Sequence, residues 1–137
     1  MENEKLLPYP QRLYVVRGLP GSGKSSLAKE LIADHGEMFS ADDYFEKSGE
    51  YIFNPAALPE AHAECRENVR RAMESECRKI VIHNTFSKRW EAEPYFALAK
   101  KFGYSVSVIE CQSSFGNIHG CPEDKILKMI ERWEPLV

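Results

Sequence analysis

The sequence predicts an α/β fold, a small and mostly parallel sheet flanked by helices in three layers, and three observations predict it. Short apolar runs alternate with longer stretches whose apolar residues recur at helical spacing. A glycine-rich turn, Gly18-Leu19-Pro20-Gly21-Ser22-Gly23-Lys24-Ser25, separates the first run from the first helical stretch. Polar clusters follow later runs at Ser40 to Asp43 and at His83 to Thr85. In parallel sheets built this way ligands bind beyond the carboxyl ends of the strands. The three polar segments are therefore expected to converge on one edge.

Residues 1–11 are polar and contain Pro8 and Pro10, an extended lead-in. Leu13 to Val16 reads as a buried strand, and Leu27, Ala28, Leu31 and Ile32 mark the helix after the glycines, stopped at His35-Gly36. Met38-Phe39 is a brief strand leading into Ser40-Ala41-Asp42-Asp43, and Glu50 to Phe53 is a surface excursion. Pro55 is expected to open a long helix with Leu58, Ala61, Cys65, Val69, Ala72 and Met73 on one face, ending near Cys77. Lys79 to Ile82 is the next strand. A helix follows from about Trp90 to Gly103, with Pro94 tolerable in its first turn. Ser105 to Ile109 is a strand, 111–122 a loop, and Ile126, Met129, Ile130 and Trp133 stripe a last helix.

The chain has 137 residues, the size of one domain spanning 1–137, and 43% of them are hydrophobic. No apolar run approaches the ~20 residues needed to cross a bilayer, and no signal or transit pattern opens the chain, so a cytosolic protein without a membrane role is expected. The net charge of -3 leaves any nucleic-acid partner to a local basic patch. Cys65, Cys77, Cys111 and Cys121 form no CxxC pair, and on one helix the first two would lie roughly 18 Å apart. Reduced thiols are expected, and Cys111, His119 and Cys121 match no standard metal site.

Gly18 to Ser25 fits G-x-x-x-x-G-K-[ST] in the strand-to-helix context that motif requires. Gly18, Gly21 and Gly23 permit the tight turn, and Pro20, Ser22 and the glycines present backbone amides to phosphate oxygens beside the positive helix end. Lys24 supplies a point charge for the outer phosphates, Ser25 a hydroxyl ligand for Mg2+, and Ser26 a second hydroxyl on the nucleotide side. A nucleoside triphosphate, ATP or a similar one, is the ligand this pattern predicts. The plainer alternative is a glycine-rich turn with Lys24 in solvent.

Arg17 to Ser25, Ser40-Ala41-Asp42-Asp43-Tyr44-Phe45, Phe53-Asn54-Pro55, Ala61-His62, Trp90-Glu91 and Pro94-Tyr95 together resemble the polynucleotide-kinase-like P-loop family. That family includes the kinase domains of phage and repair polynucleotide kinases and a branch in ubiquitin-ligase-binding proteins, to which the match is closest. The resemblance covers nearly the whole chain. It implies a P-loop, kinase-like three-layer sandwich and transfer of the ATP γ-phosphoryl to a hydroxyl, in the best-known members a polynucleotide 5′-hydroxyl. It maps the general base onto Asp42, with Lys24 on the transferring phosphate. Phosphoryl transfer needs such a set, a phosphate cradle, a metal and one carboxylate on the acceptor hydroxyl. Capping of the next helix by Ser40, Asp42 and Asp43 is the alternative, and for Asp43 a structural role leads.

The chain departs from the family in two places. After the third strand the usual Asp-Asn-Thr-Asn reads His83-Asn84-Thr85-Phe86, so an imidazole stands where a carboxylate near magnesium is usual, while Thr85 stays within reach of an acceptor. The lid arginines that relatives carry are absent from Ser113 to Gly120, which makes 111–122 a degenerate lid loop. For an acceptor strand the basic stripe is His62, Arg66 and Arg70, with Asp43 and Thr85 as further acceptor contacts. Glu67 and Glu74 beside those arginines suit a solvated face equally well. Three functions follow: an ATP- and Mg2+-dependent kinase for a hydroxyl acceptor, with a single-stranded nucleic-acid 5′ end expected; a nucleotide-binding module with weak or lost catalysis; and a small-metabolite kinase.

Overall fold

A computed structural model of the protein describes residues 10–33, 35–112 and 123–136. Four strands, β1 (Arg12–Gly18), β2 (Glu37–Phe39), β3 (Lys79–Asn84) and β4 (Ser105–Cys111), form one parallel sheet in the order β2-β3-β1-β4. The helices are α1 (Lys24–Ile32), α2 (Leu58–Glu74), α3 (Arg89–Phe102) and α4 (Glu123–Glu131). Two short 3-10 helices, Ala41–Glu46 and Pro55–Ala57, precede α2.

Strand alternation sets the layers. Leu13, Val15, Ile80 and Ile82 project onto one face, where Cys65, Val69 and Met73 of α2 and Ala92, Tyr95 and Ala99 of α3 cover them. Val16 and Val81 project onto the other, against Ala28 of α1. Both central strands are thus buried on both sides, which explains why they read as continuous apolar runs rather than alternating ones. Side chains at the strand ends inherit this alternation: His83 follows Val81 and feels Lys24 and Lys29 of α1, whereas Asn84 follows Ile82 and reaches Cys65 of α2.

The sequence expectations need four corrections. Pro55 opens the short 3-10 turn Pro55–Ala57, capped by the Asn54 side chain, and α2 itself begins at Leu58 and ends at Glu74. Pro94 lies in the second turn of α3, not the first. A proline there removes the bond to the carbonyl of Trp90, a residue 66% exposed whose backbone water can serve. β4 extends to Cys111, which belongs to the sheet rather than to a loop. Trp133 falls beyond the end of α4, and Ile130 is 50% exposed, so the stripe expected there does not form one buried face. The segment after α4 instead returns to the β3-α3 turn. Arg132 Nε donates to Ser87 Oγ, Glu134 N to the Ser87 carbonyl, and Arg89 N to the Glu134 carboxylate, while Leu136 enters the core. The lead-in over 1–9 and the loop over 113–122 lie outside the described residues. Among the described residues Cys65, Cys77 and Cys111 are free thiols, and no helix is long and apolar enough to cross a membrane.

Candidate functional site: a phosphate loop beside a carboxylate

Gly18 to Ser25 connects β1 to α1 at the carboxyl edge of the sheet. Gly21 and Gly23 take left-handed backbone conformations, φ 82° and 93°, which let the chain wrap before the helix starts. Gly18 needs its missing side chain for another reason. A Cβ there would lie 2.3 Å from Ser22 Oγ and 3.0 Å from the Cys111 carbonyl.

The loop has the features an anionic phosphate requires. The first turn of α1 carries no side-chain cap and no acidic residue, so its amides are left to a ligand or water. Ser22 is 5% exposed, and among the described residues its Oγ has no hydrogen-bond partner. Lys24 Nζ donates to the Leu19 carbonyl at 3.0 Å, which bends the ammonium back over the loop. Burial lowers the Lys24 pKa, opposed by the charge of Asp42 and by Cys111. An anion there would offset the desolvation that a lone ammonium feels. The hydroxyl-bearing Ser25 and Ser26 are exposed, and Pro20 is half-buried. For Mg2+ the chain offers the Ser25 hydroxyl and little else. Among the described residues no group of three or more His, Cys, Asp or Glu could hold a metal. That fits an ion bound chiefly through phosphate oxygens and water.

Asp42 and Asp43 have separate surroundings. Ser40 caps the 3-10 helix: its Oγ accepts from Asp42 N at 3.1 Å, and the Asp43 carboxylate accepts from Ser40 N at 3.0 Å. The cap thus uses the carboxylate of Asp43, not that of Asp42. Asp42 Oδ1 instead accepts from the Tyr51 hydroxyl at 3.3 Å, and its charge is felt by Lys24, His83 and His62. Asn84 ties this helix to β3. Its Oδ1 accepts from Ser40 Oγ at 3.2 Å and from Ala41 N at 2.9 Å, and the residue is 8% exposed.

His83 pairs in register with Val16 at the base of the loop. Burial pushes its pKa down to about 4, with Asp42 opposing and Lys24 and Lys29 reinforcing the shift. The imidazole is therefore neutral at physiological pH. Thr85 is half-buried in the turn after β3. Arg66 and Arg70 lie farther along α2, lining a depression of about 300 Å3 with Ala63, Glu67, Pro94 and Leu98. Arg70 is ion-paired with Glu67 and Glu74, and Arg71 with Glu67, the network expected of a solvated helix face. His62, at the upper end of that helix, is half-buried and has a lowered pKa from burial, with Glu91, Arg66 and Asp42 as its charged neighbours.

Three residues of this edge escaped the sequence reading. Tyr51 sits in what reads as a surface excursion, and nothing in its context signals a contact with Asp42. Asn84 stands inside a noted motif, but its anchoring role depends on a contact 44 positions away in sequence. Arg17 had a signal: with Leu13 and Val15 it occupies alternate positions of a buried strand, which places its side chain inside.

Residues 13–118 match the AAA domain family AAA_33. Human NEDD4-binding protein 2 is 38% identical over 136 residues, covering 91% of this chain and 8% of that protein, so the chain spans less than a tenth of that relative's length. Among solved structures, a chain of the Pnkp1/Rnl/Hen1 complex superposes with a TM-score of 0.60 at 18% identity, over 88% of this chain and 39% of that one. Kti12 of Chaetomium thermophilum, solved in complex with ADP-AlF3, gives 0.64 at 17% identity over 90% and 80%. At such identities the structures speak to the fold alone, which is P-loop and kinase-like. The chain belongs to the AAA_33 family of P-loop, kinase-like domains, and its motifs resemble those of polynucleotide-kinase-like proteins.

Proposed function

We propose that this chain is an ATP- and Mg2+-dependent phosphotransferase that moves a γ-phosphoryl group to a hydroxyl acceptor, with a polynucleotide 5′ end as the acceptor. The observation that carries this reading is that the charge of Asp42 reaches Lys24 at the end of the phosphate loop, while the Asp43 carboxylate takes the capping role. The acceptor oxygen would form a bond to the γ-phosphorus as the bridging oxygen to the β-phosphorus departs with the nucleoside diphosphate. Asp42 would orient the acceptor hydroxyl and take its proton. The loop amides and Lys24 would hold the triphosphate and offset charge on the outer phosphates. Mg2+, held through the Ser25 hydroxyl and phosphate oxygens, would supply further charge neutralisation. The fold is shared by a Pnkp1 RNA repair complex and by a gluconokinase alike, so the choice of a polynucleotide acceptor rests on the motif resemblance. Thr85, in the turn after β3, would be the first acceptor contact, with Arg66, Arg70 and Asp43 as further candidates.

A second reading, a nucleotide-binding module with weak or no catalysis, draws on His83. A neutral imidazole replaces a carboxylate near the metal and contributes neither charge nor an oxygen ligand. The test is incubation with γ-labelled ATP, Mg2+ and 5′-hydroxyl oligonucleotides, alongside Lys24→Ala and Asp42→Ala. Label on the oligonucleotide that both substitutions abolish supports the kinase. ATP binding without transfer to oligonucleotide or small-hydroxyl acceptors supports the module. Transfer to small acceptors alone removes the polynucleotide from the proposal.

A further inference from the structure

Arg17, the residue before the phosphate loop, is 2% exposed. Its Nη2 donates to the Phe86 carbonyl at 2.5 Å, its Nη1 lies 3.4 Å from the Glu110 carboxylate, and its guanidinium stacks 4.0 Å from the centroid of Trp133. Nε has no partner. Burial lowers the pKa, with Glu110 and then Glu91 opposing, and an arginine stays charged through such a shift. A cation so placed adds little to stability, because apolar replacements of buried ion pairs are often neutral or better. What it holds is unusual. Phe86 has φ 50°, a left-handed backbone that a bulky aromatic seldom adopts, and such a conformation persists only where its surroundings over-determine it. Two restraints do so here: the Phe86 ring packs edge-on against Tyr95 with centroids 5.8 Å apart, and the carbonyl is fixed by Arg17.

The turn held this way begins at Asn84, which lies opposite Arg17 in the parallel register and carries the start of the helix bearing Asp42. We propose that Arg17 is a positioning residue for phosphoryl transfer: by holding the Phe86 carbonyl it fixes the Asn84 to Phe86 turn, and through Asn84 the helix of Asp42, relative to the phosphate loop that starts at the next residue. The proposal rests on the kinase reading above. Arg17, buried against Phe86, Glu110 and Trp133, would act through Phe86 and Asn84. Trp133 stacks on the guanidinium rather than on the Phe86 carbonyl that Arg17 holds, so it serves as the structural control.

The experiment compares the whole chain with Arg17→Met, Arg17→Lys and Trp133→Leu, each assayed well below its own melting temperature. Arg17→Met should lower kcat for label transfer about tenfold or more while the ATP dissociation constant stays within about threefold. Arg17→Lys, which keeps the charge but not the planar fork, should recover part of the rate. Trp133→Leu should lower the melting temperature and leave kcat within about threefold. A second readout is independent of turnover. The backbone amide resonances of Ser40, Ala41 and Asp42 should shift in Arg17→Met and stay in place in Trp133→Leu. Should Arg17→Met not fold, Arg17→Lys carries both measurements. Unmoved resonances in the Arg17 variants, a loss confined to ATP affinity, or equal losses of kcat in Trp133→Leu would overturn the proposal. If the wild-type chain transfers to no acceptor, the kinase reading fails by itself, and the resonances alone decide whether Arg17 positions Asp42.

Discussion

Replacing Asn84 by leucine keeps the branched shape and heavy-atom count of the side chain, at a somewhat larger volume, and removes its acceptor. In the native chain that one oxygen serves Ser40 Oγ and Ala41 N, and both residues are buried, at 4% and 6% exposure. Two neutral hydrogen bonds are worth about 1 kcal/mol each, and leaving the buried Ala41 amide unsatisfied adds about 1–2 kcal/mol, so the loss should total about 3–4 kcal/mol. For a chain of this length roughly 3–4 °C of melting temperature accompanies each kcal/mol, giving a shift of about 9–16 °C by circular dichroism. The loss should be non-additive with Ser40→Ala, by about 0.5–1.5 kcal/mol in a double-mutant cycle, because the two side chains share a bond. ATP affinity should change less than about threefold, since the Asn84 side chain bonds Ser40, Ala41 and Cys65 rather than the phosphate loop, whereas phosphoryl transfer should fall about tenfold as the Asp42 helix loosens. A melting temperature within about 2 °C of the wild type, or strict additivity with Ser40→Ala, would refute the claim that Asn84 anchors this helix.

Other outcomes follow from the same geometry. Asp42→Asn should lower kcat for transfer by about 10²–10⁴ with ATP affinity preserved, measured by label transfer and calorimetry; an unchanged rate would remove Asp42 as the base. Gly18→Ala should weaken ATP binding about tenfold or more, because its Cβ meets the fixed Cys111 carbonyl at 3.0 Å and displaces the loop; unchanged affinity would show that the loop yields there. His83 has a folded pKa of about 4 against 6.5 for the free side chain, so the unfolded chain takes up the proton first. The associated stability is present above pH 6.5 and is lost as pH falls toward 4. Since the residue is partly exposed, the loss should be on the order of 2 kcal/mol. His83→Asn should flatten that part of the pH dependence in urea titrations, and an identical slope in the variant would contradict the assigned burial.

The parts of the fold written in local pattern were legible in advance. The apolar runs at Leu13 to Val16 and Lys79 to Ile82, the glycine stop at Gly103 and the buried face from Ala61 to Met73 follow from periodicity and capping, which depend on near neighbours. The position of Lys24 at the start of α1 follows in the same way from the spacing of the glycines. What was not legible depended on distant partners. Pro94 sits within α3 because the carbonyl it abandons belongs to exposed Trp90, and exposure is a tertiary fact. Trp133 reads as a continuation of the α4 stripe, yet the chain leaves the helix and returns to Ser87 and Arg17. The division of labour between Asp42 and Asp43 was open in the sequence because both can cap. In the structure, Ser40 N donates to the Asp43 carboxylate and the Tyr51 hydroxyl to Asp42.

The most direct measurement is isothermal titration of the chain with ATP and Mg2+, repeated with Lys24→Ala. Saturable one-to-one binding that the substitution weakens about a hundredfold, with its fold intact by circular dichroism, is the predicted result. Absence of binding in the wild type, or equal binding in the variant, would contradict a phosphate site on Gly18 to Ser25.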